Sequence, residues 1–270
     1  AAVSRIAAWT ASPGASAARS DRLKTGPGSV TTRRIPPGPS RNAARRRGCG
    51  VTAASTAAGS GAAGGGGGAG RGAVETGEVS VPEGRSEDAP LTGRGEEQAA
   101  ALGRWLAAVE DGPELVVCSP YARARRTWEI AAGEYGERAA PPVVVEERVR
   151  DRENGVFALH SPPAWRAADP QEWARRERSE EWTYRPPGGE SLADVALRVR
   201  GLLGDLDAVA AGRRVLVVAH DAVALAVAYV LEGLGAPVPD RPQVANASVS
   251  RWHNAGGRLV PGVWNSTGHL

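Results

Sequence analysis

Absences narrow the field first. The 270-residue chain has only two cysteines, Cys49 and Cys118, and no methionine. Two cysteines make neither a disulfide framework nor a metal-ligand spacing, so a disulfide-stapled secreted scaffold is excluded and a reducing, cytoplasmic setting is expected. No stretch approaches the ~20 consecutive apolar residues of a membrane span. The opening AAVSRIAAWTASPG is broken by Arg5 and Pro13 where a secretory signal would run apolar, so no membrane partner is expected. The lack of methionine, even at position 1, is what a fragment or an uncertain start would show. Acidic residues are almost missing from the first quarter: residues 1–74 hold Asp21 against eleven basic side chains, a net of +10. The remaining residues hold 22 basic and 29 acidic groups, a net of −7, so the basic balance belongs to the first part alone.

That part also lacks core-forming residues. In residues 1–73, Ala, Gly, Arg, Ser, Thr and Pro fill 62 places and only six residues are Leu, Ile, Val or Phe, too few to offset the entropy of ordering. AAGGGGGAG (62–70) has the composition of a flexible linker. Residues 1–86 are therefore read as a low-complexity basic segment, disordered or translated from GC-rich sequence in the wrong frame. A transit peptide, an inert tail and a basic arm touching nucleic acid are the alternatives. Nucleic acid is not the expected partner.

From residue 87 the texture changes, and residues 87–270 read as one domain. LTGRGEEQAAALGRWLAAVE (91–110) sets Ala99, Leu102, Trp105, Leu106 and Val109 on one helical face, entered near Thr92. ELVVCS (114–119) is a short apolar strand. It leads into a helix for which Ser119 is the expected N-cap and Pro120 the first residue. PPVVVEERV gives a further strand. GGESLADVALRVRGLLGDLDAVAAG gives an amphipathic helix capped by Ser191 and stopped at Gly212. RRVLVVAH is a strand followed by the helix AVALAVAYVLEGL, and ASVSRWHNAGGRLVPGVW reads as two strands around a glycine-rich turn. Strands that are apolar on both faces and alternate with helices predict a mainly parallel sheet covered by helices, an α/β three-layer sandwich.

Histidine is scarce, four in the chain, yet His220 stands where VLVVA meets the next helix. In open α/β sheets ligands bind beyond the carboxyl ends of the strands. A second strand end, LVVC, delivers Ser119, with Arg123 in the first turn of the following helix. Helix N-termini with an arginine fork suit an anion, and a phosphoryl group in particular. On position alone, His220 could equally be a satisfied core histidine, and Arg123, within RARR, one member of a solvated face. Asp221 reads as an N-cap.

These pieces fall into a familiar order. LTGRGEEQA resembles L-T-x-x-G-x-x-Q-A, SPYARARRT resembles S-x-x-x-R-A-x-x-T, and PPGGES, VLVVAH and NASV resemble later motifs of the histidine phosphatase superfamily, the phosphoglycerate mutase-like proteins. The resemblance spans about residues 87–270. It implies a phosphatase acting on a small phosphomonoester, with no cofactor and no metal. It makes Arg123 and Ser119 phosphate-binding and His220 catalytic as the second histidine of the site. The family's acid falls on Asp151, four residues before Gly155, with Glu153 as a nearby substitute; such an acid protonates the leaving alkoxide. As residues alone, Asp151 and Glu153 could equally be loop charges beside Arg150 and Arg152. The Trp- and Arg-rich segment 160–187 is expected to cover the site, with Tyr184 and Arg185 as substrate-binding candidates or, equally, as packing of an inserted helix.

One part of the pattern is not found. The family's nucleophile is the histidine of R-H-G at the end of a first strand, and no histidine precedes His160. No apolar strand is expected before Thr92 either; RRRGCGVTAAS (45–55) is the nearest echo, with arginine where histidine would stand. Impaired catalysis, with a gap in the sheet, is the expectation. A non-catalytic phosphate-ligand binder is the competing class.

Overall fold

The computed structural model describes residues 50–55 (backbone), 83–136, 139–233, 244–255 and 258–270. In chain order the strands are β1 (Gly50–Ser55), β2 (Leu115–Cys118), β3 (Val143–Val145), β4 (Arg214–Ala219), β5 (Val249–Ala255) and β6 (Arg258–Ser266). The helices are α1 (Gly93–Ala108), α2 (Ala122–Gly133), α3 (Pro162–Ala168), α4 (Pro170–Arg178), α5 (Leu192–Val209) and α6 (Asp221–Glu232). The strands form one sheet in the order β3-β2-β4-β1-β5-β6. The pairs β3–β2, β2–β4 and β4–β1 are parallel, while β5 and β6 close the edge antiparallel.

Alternation along β4 builds the layers. Val215, Val217 and Ala219 pack with α5 and α6 through Val195, Val199, Leu202, Leu206, Val223 and Val227. Leu216 and Val218 point the other way, against Leu102 and Leu106 of α1 and Ala124, Trp128 and Ala131 of α2. Both strand faces are therefore dry, as a helix-covered parallel sheet requires. The expected face of α1 is buried at Ala99, Leu102 and Leu106, and Gly103 lets α2 approach: a Cβ there would lie 2.5 Å from the Ala131 carbonyl oxygen.

The helix ends follow from local chemistry. Thr92 Oγ1 accepts from Gly95 N–H, capping α1. At α5 Ser191 Oγ accepts from Asp194 N–H while Asp194 accepts from Ser191 N–H, a reciprocal capping box. The start of α2 departs from expectation. Its N-cap is Tyr121, not Ser119, and its first residue is Ala122, not Pro120; the Ser119 hydroxyl lies against His220 instead.

The larger correction concerns the first strand. Gly50–Ser55 lies inside the stretch read as low-complexity, yet it pairs parallel with β4 (Gly50 with Arg214, Ser55 with Ala219) and antiparallel with β5. The expected gap in the sheet does not exist, and a strand does precede Thr92. Residues 50–55 thus share one sheet with strands of the 87–270 stretch. What was expected of residues 1–49 and 56–82 lies outside the described residues. No described helix is long and apolar enough to cross a membrane.

Candidate active site

β2 and β4 are neighbours, with Cys118 opposite Val218, so their carboxyl ends deliver Ser119 and His220 side by side. Ser119 Oγ lies 2.8 Å from His220 Nε2 and also accepts from Tyr121 N–H at 3.3 Å. His220 is the N-cap residue of α6. Asp151, in the loop after β3, reaches the same place: its Oδ2 is 3.5 Å from His220 Nδ1 and 2.6 Å from Arg123 Nη2. The carboxylate beside Nδ1 favours the tautomer with the proton there, leaving Nε2 to accept from Ser119. Arg123, Asp151, Ser119 and His220 are each no more than 3% exposed.

Arg123 is the most constrained of the four. Nη1 donates to the Ser86 carbonyl at 2.7 Å and Nη2 to Asp151, while its plane stands 4.8 Å from the Tyr121 ring centroid. Nε, although buried, has no hydrogen-bond partner among the described residues. A buried guanidinium N–H left unpaired costs about 1–3 kcal/mol, more for a charged donor, unless a ligand oxygen takes it.

Electrostatics follow burial. Burial, seconded by Arg123 and Arg198, holds the His220 imidazole well below its ordinary pKa, so it is neutral at pH 7. Burial raises Asp151 above the usual carboxylate range, with Arg123 pulling the other way. Asp221, the first residue of α6, is carried up to about 6 by burial and by Asp151; its Oδ1 accepts from Ala222 N–H. Burial pushes the Cys118 thiol up to about 12, so this cysteine is a core residue and not a thiolate.

The loop bearing Asp151 is clamped by arginines. Arg198 of α5 donates to the carbonyls of Arg148 and Asp151 and pairs with Glu190, which also binds Arg150. Gly155, at φ 57°, lies so close to Pro187 that a Cβ would sit 2.0 Å from its carbonyl oxygen, which fixes the loop on the segment before α5. Glu153 is not in the Arg123 cluster. It accepts from the Tyr121 hydroxyl at 2.9 Å, and the Tyr121 ring in turn meets His220 edge-on at 5.1 Å. Tyr121, Arg198, Glu190 and the Ser86 carbonyl had no sequence signal of their own, since each acts through a fold contact.

Among the described residues, Tyr184 and Arg185 make no hydrogen bond to the four clustered side chains, although the Tyr184 carbonyl accepts from Arg152, next to Asp151. Tyr184 is buried with Phe157 and Trp165, and its hydroxyl donates to Glu172 at 2.7 Å. Arg185 is exposed and pairs with Asp194 at the start of α5. Around Tyr184 the aromatic residues of this segment pack together: Phe157 stacks on Trp165 at 4.4 Å, and Arg176 covers both Trp165 and Trp173. Among the described residues no group of three His, Cys, Asp or Glu side chains could hold a metal ion.

Known proteins resemble this chain in sequence and in fold. Residues 77–267 match the model of the histidine phosphatase superfamily (branch 1), a match that leaves β1 outside it. A 2,3-bisphosphoglycerate-dependent phosphoglycerate mutase of Methylobacterium radiotolerans is 37% identical over 160 residues, covering 57% of this chain and 73% of that one. A probable phosphoglycerate mutase of Salmonella paratyphi C is 28% identical over 61% of this chain and 73% of its own. Among solved structures, YhfR of Bacillus stearothermophilus superposes with a TM-score of 0.64 at 23% identity, over 82% of this chain and 98% of that one. A mycobacterial glucosyl-3-phosphoglycerate phosphatase in complex with VO3 does so at 0.60 and 25%, over 82% of this chain and all of that one. A sheet with helices on both faces, a buried Arg–His–Asp–Ser cluster at its carboxyl end and a match over most of the chain lead to one conclusion: the chain belongs to the histidine phosphatase superfamily.

Proposed function

We propose that the chain hydrolyses small phosphomonoesters at the Arg123–His220–Asp151–Ser119 cluster. The observation that carries this is the buried Arg123 Nε–H without a partner, beside a neutral histidine and the start of two helices. A phosphoryl oxygen accepts from that N–H, and the helix N-termini add favourable dipole ends. In the free protein Asp151 serves as the counter-ion of Arg123. An arriving phosphoryl dianion competes for the guanidinium and raises the Asp151 pKa further, so the carboxyl enters the complex carrying the proton the leaving alkoxide needs. Glu153, tied to the site through Tyr121, borders the place where the alcohol portion leaves. Related proteins named as a phosphatase and as phosphoglycerate mutases support phosphoryl chemistry, and their known forms include one bound to inorganic phosphate.

A specific observation favours a second reading, a phosphate-ligand binder without turnover: β1 ends Ala53-Ala54-Ser55 beside Val217, Val218 and Ala219 of β4 and bears no histidine. Turnover separates the two. The phosphatase reading expects the purified chain to release phosphate from p-nitrophenyl phosphate, and Arg123→Ala to lose ~100-fold or more in kcat/KM. Anion binding without phosphate release across a panel of phosphomonoesters would establish the binder.

A further inference from the structure

We infer that a cleft at the amino end of the parallel strands, opposite the catalytic cluster, binds a small aromatic carboxylate. The cleft holds about 230 Å³ and lies between the end of α1, the loop 111–113, the first residues of β4 and the later residues of β5. β4 starts in it at Arg214 and delivers His220 at its other end. At ~3.3 Å per residue, roughly 20 Å of strand separates this cleft from the anion site. A ligand here touches none of the groups that hold the phosphoryl group.

Strand register opens the cleft. Side chains of cross-strand partners share a face, and the row through Arg214 and His253 crosses β1 at Gly50. Glycine puts no side chain between them. Leu216, two residues beyond Arg214, packs against α1, so this row faces α1 as well. Arg251 shares the row of Leu216 through Thr52 and points the same way. Trp105, Leu106 and Val109 form the apolar wall, and the Trp105 ring is steadied by His269, with centroids 5.5 Å apart.

Charge selects the ligand. Two arginines and one aspartate line the cleft, a surplus of one positive charge. Arg214 is engaged: Nε donates to the Gly112 carbonyl at 2.7 Å, and Nη1 stands 3.9 Å from Asp111 and 3.6 Å from Glu114. Arg251 is not. Its guanidinium lies 5.7 Å from the Trp105 ring centroid and makes no ion pair or hydrogen bond among the described residues. An arginine fork takes a carboxylate through two parallel hydrogen bonds, and a ring set against an indole gains from stacking. One surplus charge matches a monoanion and not a phosphate dianion. The volume falls short of the about 300–1,000 Å³ of sites for drug-sized ligands, so the body is one ring or a small fused pair.

The test titrates benzoate into the full chain by saturation-transfer NMR and soaks crystals in 4-iodobenzoate, whose iodine locates the ring. The expected Kd is about 1 mM or below, which a ligand of so few atoms can reach. Arg251→Ala should weaken binding about tenfold or more through the lost charge-assisted hydrogen bonds, and benzamide, the uncharged counterpart, should bind the unsubstituted chain as poorly. Cyclohexanecarboxylate keeps the charge without the aromatic ring and should bind less tightly than benzoate. The iodobenzoate ring is expected beside Trp105 with its carboxylate on Arg251. Weaker binding of benzoate than this, equal binding by Arg251→Ala, or iodobenzoate seated elsewhere, on Arg123 included, would overturn the proposal. Arg251 is exposed, so its replacement should leave the fold intact. Each of these results leaves the phosphatase reading standing, because that reading is tested by phosphate release.

Discussion

Replacing Asp151 by asparagine separates what this carboxylate does for the fold from what it does for the anion. In the free protein Asp151 Oδ2 is 2.6 Å from Arg123 Nη2, and both side chains are at most 3% exposed. Removing one partner of such a pair leaves an uncompensated buried charge, a loss of about 3–5 kcal/mol; the asparagine carbonyl still accepts from Nη2, which puts the expected loss at the lower end. Anion binding should move the other way. A carboxylate roughly 5 Å from a bound dianion repels it by up to about 7 kcal/mol at an effective dielectric of 20. Proton uptake by Asp151 relieves part of that, so Asp151→Asn is expected to bind sulfate about tenfold more tightly, ~1.4 kcal/mol. Sulfate stays dianionic from pH 5 to 8, so the wild-type affinity should weaken as pH rises and the proton Asp151 takes up becomes harder to acquire. The variant should lose about one proton's worth of that slope. Sulfate at a hundred times its Kd should restore about 2.7 kcal/mol of the lost stability. Urea unfolding with and without sulfate, with titration calorimetry at several pH values, reads all three effects. A folded Asp151→Asn that binds sulfate equally or more weakly would refute the competition between Asp151 and the anion for Arg123.

Three further outcomes follow from particular contacts. Asp221 has a folded pKa of about 6 against 3.8 for the free group, so it lowers stability fully only above pH 6 and not at all below about pH 4. The gap of about two units is worth about 3 kcal/mol, so Asp221→Asn should stabilise the chain by up to that amount at pH 8 and by nothing at pH 4, and equal gains at both in urea unfolding would contradict this. A chain starting at residue 44 should unfold cooperatively by circular dichroism, whereas one starting at residue 58 should not, because β4 and β5 would lose the strand between them; cooperative unfolding of the shorter chain would show that β1 is dispensable. Gly103→Ala drives a methyl into the Ala131 backbone of α2 and should lower unfolding free energy by about 2–3 kcal/mol, and an unchanged urea midpoint would mean that α1 and α2 are less closely apposed.

What the sequence disclosed depended on whether the signal was local. The α5 stripe and its Ser191 cap could be read directly, because capping and periodicity act within a few residues; the same holds for the apolar strand ending at His220. GVTAAS gave only a faint sign, as part of the nearest echo of a first strand. Its composition is weak for a strand, and it pairs as one because β4 and β5 leave a place between them. Ser119 was misplaced as an N-cap for a related reason: Ser-Pro is a fair helix start, but a histidine 101 positions later holds the hydroxyl, and α2 begins after Tyr121. Arg123, His220 and Asp151 were each identifiable as candidates, yet nothing in their spacing placed one carboxylate oxygen against both of the others. Tyr184 and Arg185 were drawn from a segment of suggestive composition, whose aromatic residues pack on one another while the Tyr184 carbonyl accepts from Arg152, next to Asp151.

Binding of a phosphoryl group at Arg123, beside the Ser119–His220 pair, is read most directly from a crystal structure with orthovanadate. The expected map has a vanadate oxygen within hydrogen-bond distance of Arg123 Nε, with the Arg123–Asp151 contact loosened. Vanadate bound elsewhere, or absent while Arg123 keeps both Asp151 and the Ser86 carbonyl, would contradict it.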